Sequence, residues 1–298
     1  MQFLRTVIVQ DVTPAADGDV TYDLPVNPVS HINLTIKCLN VTNEATVAEI
    51  AALIVNVQVL HRGTSIIQMS GPDLLALNHL LLRHAPIVAN QIATDNATRS
   101  LALIIPFGRT LYNPSECFPE SKAGELQLRL TVDIENAGAD GLILQIEATE
   151  LLGASPSRHL KATTLTTTPA ATGAHDIDLP IENPYAGIML WGTTIPATTA
   201  WTTTIDQVKL LADNTEIFYS LANWESLHAE IVTRPGHQPG YILADGDDQI
   251  AHYSYLDFSP HDKDDFLLNS GPLSSLKLRV TVGNADAIRV IPVELARP

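Results

Sequence analysis

The stretch ELQLRLTV, Glu125 to Val132, returns 150 positions later as SLKLRVTV, Ser275 to Val282. Leu, Leu, Arg, Thr and Val recur at matching positions. In the first copy Leu126, Leu128, Leu130 and Val132 alternate with Gln127, Arg129 and Thr131; in the second, Leu276, Leu278, Val280 and Val282 alternate with Lys277, Arg279 and Thr281. A period of two with one apolar side is the pattern of a strand in a sheet packed on one face.

The match is not isolated. YDLPVNP (Tyr22–Pro28) answers IDLPIENP (Ile177–Pro184), VQVLHRGTSII (Val57–Ile67) answers VKLLADNTEIF (Val208–Phe218), and DLLALNHLLLRHAP (Asp73–Pro86) answers NWESLHAEIVTRP (Asn223–Pro235). FLRTVIVQ from Phe3 has a weaker echo in HLKATTLT from His159. All keep the same order at offsets of about 149 to 156. One such period in 298 residues means two domains rather than a solenoid. The boundary is read at the small, polar LGASPSR, Leu152–Arg158, giving domains 1–152 and 153–298.

Each repeat offers eight β-rich runs. The first has them near Phe3–Gln10, Asp19–Leu24, His31–Asn40, Leu53–Leu60, Ser65–Met69, Leu101–Phe107, Glu125–Ile134 and Leu142–Leu151. The second has them near Leu160–Thr168, His175–Leu179, Ala186–Thr193, Thr203–Leu211, Thr215–Tyr219, Ile250–Phe258, Ser275–Gly283 and Ala287–Leu295. Turn residues separate them, as at Arg62-Gly63 and Asp213-Asn214. One helix is expected per repeat. In the first, Asp73 is the N-cap, Leu74, Leu77 and Leu81 form the apolar stripe and Pro86 is the stop. In the second, Asn223 is followed by Trp224, Leu227, Ile231 and Pro235. Eight strands with a helix in a long connection make a jelly roll, so the fold class is all-β: two tandem eight-stranded jelly-roll sandwiches, each with one short helix. The polar faces are expected to meet a neighbour that buries Arg129 or Arg279.

Apolar residues make up 45% of the chain and charged ones 17%, enough for two cores. The net charge of −16 repels phosphate backbones and anionic lipid, which argues against direct nucleic-acid binding. Cys38 and Cys117 read as reduced thiols, and the opening MQFLRTVIVQDV lacks the pattern of a signal peptide, so synthesis in a reducing cytoplasm is expected. No apolar run reaches membrane-spanning length.

Catalytic motifs are missing: there is no H-E-x-x-H, paired C-x-x-C, G-x-S-x-G or phosphate loop, and the ten histidines are scattered singly. No enzyme activity and no catalytic or cofactor-binding residue is expected. Cys117 would need a base that the sequence does not place. Two acidic runs, Asp245, Asp247, Asp248 and Asp262, Asp264, Asp265, are candidate oxygen ligands for a structural Ca²⁺ at subunit contacts, although neither matches the twelve-residue calcium loop. Trp191, Trp201 and Trp224 are a candidate sugar platform, with packing the simpler reading.

The hairpin running into a capped helix (VKLLADNTEIFYSLANWESLHAEI, Val208–Ile231), the strand ending in Phe258, the L-x-L-[KR] strand and the β-rich last strand together carry a resemblance. Across the whole chain this order resembles the double-jelly-roll major capsid proteins of tailless icosahedral viruses, especially membrane-containing bacteriophages of the corticovirus type. The resemblance implies a structural virion protein made in the host cytoplasm. It implies a homotrimer of pseudo-hexagonal outline that tiles an icosahedral capsid shell. Its partners would be neighbouring capsomers, penton or minor capsid proteins and, in many members, an underlying lipid membrane. The alternative is a carbohydrate- or receptor-binding β-sandwich of a spike or minor virion component.

Overall fold

The computed structural model describes residues 2–42, 44–83, 88–89, 94–196, 201–233 and 250–298. Contacts divide the chain into two compact units that change over between Lys161 and Ala162.

The first unit contains β1 (Gln2–Val12), β2 (Gly18–Asp23), β3 (Val29–Asn40), α1 (Val47–Ala52), β4 (Ile54–His61), β5 (Thr64–Met69), α2 (Gly71–Leu82), β6 (Val88–Ala89), β7 (Thr98–Pro106), β8 (Leu126–Val132) and β9 (Ala139–Leu152). One sheet runs β1-β9-β3-β7-β6 and the other carries β5-β4-β8-β2. This interleaving is the jelly-roll strand order. The inward rows are fully buried: Leu34, Ile36, Leu101, Leu103, Leu144 and Ile146 on the first sheet, and Val57, Val59, Leu128 and Leu130 on the second. Burying the four apolar side chains of β8 is worth up to about 6–12 kcal/mol.

Of Leu152–Arg158, expected as the linker, Leu152 ends β9 and the rest connects it to β10 (His159–Thr163), within which the units change over. There follow β11 (Leu165–Thr167), β12 (Gly173–Asp178), β13 (Pro184–Gly192), β14 (Ile205–Ala212), β15 (Thr215–Glu216), β16 (Ala222–Asn223), α3 (Trp224–Thr233), β17 (Tyr253–Asp257), β18 (Leu268–Asn269), β19 (Leu276–Val282) and β20 (Ile288–Ala296). One sheet carries β17-β13-β20 with β11 on β20, and the other runs β12-β19-β14-β15. A single core joins their inner faces, with Ile188, Leu190, Leu256 and Val290 packed in one cluster with Val208, Leu210, Leu278 and Val280.

The two quoted stretches are β8 and β19, and they occupy the same place. β8 pairs with β2 on one side and β4 on the other; β19 pairs likewise with β12 and β14. The following hairpins also correspond. Arg62 and Gly63 turn β4 into β5, and Asp213 and Asn214 turn β14 into β15, with positive φ at all four residues. That backbone suits the right-handed twist of paired strands, and it explains the Gly and Asn.

Three expectations are corrected. The N-cap of α2 is Ser70, whose Oγ accepts the Asp73 backbone N–H at 3.2 Å; Asp73 itself sits inside the first turn. Pro72 fits that turn because its missing N–H has no intrahelical partner there. The helix ends on Arg83 in the left-handed conformation, while Pro86 and Pro235 lie outside the described residues. The first unit also has a second helix, α1, which begins on a capping box: the Glu49 N–H donates to Thr46 Oγ1 and the Glu49 carboxylate accepts from Thr46 N–H. Finally, Thr215–Tyr219 is not one strand. Between Glu216↔Leu211 and Ala222↔Val208 the edge strand bulges, with Phe218 and Leu221 at φ 54° and 65°.

Candidate assembly surfaces

Of the candidate ligands, Asp245, Asp247 and Asp248 lie outside the described residues. Asp262 ends a short 3-10 turn, Pro260–Asp262, and Asp264 and Asp265 follow it on the surface. Among the described residues no three His, Cys, Asp or Glu side chains come together as a metal site. Burial pushes both thiols up to about 11, and Cys117 Sγ donates to the Pro114 carbonyl oxygen at 3.9 Å. A thiol so raised is protonated at neutral pH and does not serve as a nucleophile.

The tryptophans do not share a role. Trp224 is in the core of the second unit. Trp191 stacks on His252 with ring centroids 6.0 Å apart, and the Arg289 guanidinium lies 3.5 Å above the ring centroid. Arg289 is directly opposite Trp191 in the register, so the indole is committed to its own sheet. Only Trp201, 88% exposed, is left to meet another molecule.

The polar faces of β8 and β19 are satisfied locally. Arg129 pairs with Asp19, which also accepts from Thr131 Oγ1 at 2.6 Å, and Gln127 donates to Asp23 at 2.8 Å. Arg279 grips Asp176 with two bonds of 2.6 and 2.9 Å. The arginine beside each aspartate holds its carboxyl below the usual range. Within the chain both arginines remain half-exposed, 44% and 43%, rather than buried. At least ten lysines and arginines are spent in such pairs. The surface field is therefore that of the unpaired acids.

What remains available is apolar. In the first unit β1 is the edge strand, bonded among the described strands to β9 alone, with register shifts between Val7 and Val9 and between Val9 and Val12. Its regular half presents Phe3, Leu4 and Val7, exposed by 63%, 48% and 53%, and Phe3 meets the Tyr112 ring edge-on. Only Arg5, paired with Glu147, guards this length. The opposite edge is managed differently. There α2 presents Asn78, whose amide donates to Ile104 O at 2.6 Å and accepts from Ile104 N at 2.7 Å. In the second unit the edge bulge turns Phe218 and Leu221 outward, the Phe218 ring keeping an edge contact with Phe258. Holding two bulky residues at positive φ costs of order 1 kcal/mol or more each. Exposed aromatic and aliphatic groups in an acidic field suit association with other proteins.

A buried ionic knot fixes the connection after β7. Glu116, 2% exposed, accepts from Arg109 Nε at 3.1 Å and Arg109 N at 3.2 Å, and from Arg158 Nε and Nη2 at 2.9 and 2.6 Å. Burial alone would raise the Glu116 carboxyl; the Arg109 hydrogen bond and both guanidinium charges more than offset this and hold it low. Sequence reading missed the knot because its members lie 7 and 42 positions apart.

No family model and no curated sequence matches this chain. Solved structures do match, over both units at once. The major capsid protein P2 from bacteriophage PM2 superposes with a TM-score of 0.68 at 13% identity, over 100% of this chain and 98% of that one. A structure from Sulfolobus Turreted Icosahedral Virus gives 0.73 at 14%, over 100% and 92%. The chain has the double-jelly-roll fold. The Faustovirus major capsid protein shares it too, with a TM-score of 0.62 at 9% identity over 100% of this chain and 90% of that one.

Proposed function

We propose that this chain is a major capsid protein, which self-assembles as a homotrimer of pseudo-hexagonal outline and tiles an icosahedral viral shell. The observation that carries the reading is the duplicated jelly roll, aligned from end to end with viral capsid proteins. Three copies around a closed axis would present six similar sandwiches, and hexagonal blocks cover a surface. The apolar edge of β1, the Phe218–Leu221 bulge and Trp201 supply exposed apolar contact chemistry for neighbouring subunits. The acidity of the chain, −16, supports contacts with other protein subunits rather than with the genome. Penton or minor capsid proteins would close the shell, and an inner membrane is a further partner of this reading.

Electron microscopy of the concentrated, purified chain tests it. Hexagonal blocks, sheets of them or closed shells are expected. Dispersed monomers that bind an immobilised glycan array would overturn it in favour of a receptor-binding sandwich.

A further inference from the structure

The two copies of the jelly roll handle histidine differently. In the first unit three rings are buried among the described residues: His31, 2% exposed, His79, 1%, and His159, 8%. In the second, His175, His228 and His252 are half-buried and His261 is exposed.

The surroundings of two of these rings, His31 and His159, are hostile to a second proton. His31, on β3, places Nδ1 3.0 Å from Ser30 Oγ and Nε2 3.2 Å from Thr149 Oγ1, with the Tyr112 ring edge-on at 5.1 Å. Hydroxyls share a proton with the neutral ring but bring no negative charge to offset another. The charged group that bears on it from β1 is Arg5, itself paired with Glu147 of β9. His159, at the start of β10, meets Phe118 edge-on at 5.1 Å, and His61 from the end of β4 meets the other side of this cluster at 5.2 Å from Phe118. Its Nδ1 finds no hydrogen-bond partner among the described residues. The charges facing it are His61 and Lys161, and Arg158 beside it is held by Glu116.

We propose that the first unit is the acid-sensitive half of the chain, with His31 and His159 as two neutral pins whose protonation opens it while the second unit stays closed. Burial is the main cause: both rings are pushed down to about 4 from 6.5, helped by Arg5 for His31 and by His61 and Lys161 for His159. A group depressed in the folded state stabilises it fully above the unfolded value. That stability is lost as pH falls from about 6.5 through about 4. The inference stands on the fold and holds whether or not the chain assembles.

Hydrogen exchange on the full chain at pH 7.5 and 5.0, expressed as protection factors, tests it. Protection in β3, β8 and β9 should fall by about thirtyfold for each histidine that must take up a proton. Protection in β14, β19 and β20 should hold. The double variant His31→Gln, His159→Phe should lose this difference between units. Equal loss in both units, earlier loss in the second unit, or a folded double variant that keeps the full difference would each overturn the proposal. If the variant does not fold, the wild-type comparison still decides.

Discussion

Replacing Glu116 with glutamine probes the ionic knot with almost no change in shape. The wild-type carboxylate receives two guanidiniums, and Arg109 is 4% exposed. Glutamine keeps the volume but removes the charge that neutralises both cations and turns one acceptor into a donor facing them. Removing one partner of a buried pair costs about 3–5 kcal/mol, because the remaining charge stays desolvated. For a unit of this size each kcal/mol shifts the melting midpoint by roughly 2–4 °C, so a drop of about 6–20 °C is expected by calorimetry. Arg158→Ala is the internal control: that side chain is 24% exposed, water can replace part of its role, and the loss should be clearly smaller. The carboxyl is held below its ordinary 4.5, so the stability it supplies is present above that value and is lost as pH falls through the lowered one. The gap between wild type and variant should therefore stay level from pH 7 down to about 4.5 and close below it. A loss under about 1 kcal/mol at pH 7, or a gap that closes well above 4.5, would refute the reasoning.

Gly71→Ala should cost about 1–3 kcal/mol in urea unfolding, since its Cβ would fall 2.0 Å from the Ala51 carbonyl oxygen and force α1 away from α2. Asn78→Ala should cost about 2–4 kcal/mol and speed hydrogen exchange at Ile104, because the amide and carbonyl of that edge residue lose their partner. Trp201→Ser and Leu221→Ser should leave the unfolding free energy within about 0.5 kcal/mol of wild type, both side chains being exposed, while lowering the yield of assembled particles by light scattering.

The sandwich strands were legible because each buries one face, so the alternation in Leu126–Val132 and Leu276–Val282 is the imprint of the core itself. The repeat then supplied a second reading of the same fold. Helix α1 escaped because its six residues are too short to show a period, although the Thr46/Glu49 capping box was there to be read. The start of α2 was misplaced by three residues because Asp73 looks like a cap and Ser70 does the capping. In Thr215–Tyr219 the apolar pattern continues while the backbone buckles, and the left-handed residues Phe218 and Leu221 carry no sequence mark. The exposed edge of β1 was also hidden. Phe3, Leu4 and Val7 look like core residues until the strand order shows that, among the described residues, no strand pairs with that side. The Glu116 knot and the surroundings of His31 and His159 depend on contacts across connections, which spacing does not encode.

The central claim is self-association into trimers, and native mass by light scattering after size exclusion tests it most directly. A single species near 97 kDa, three times the 32.2 kDa chain, is the expected result. A monomer that stays at 32.2 kDa over the whole accessible concentration range would contradict it.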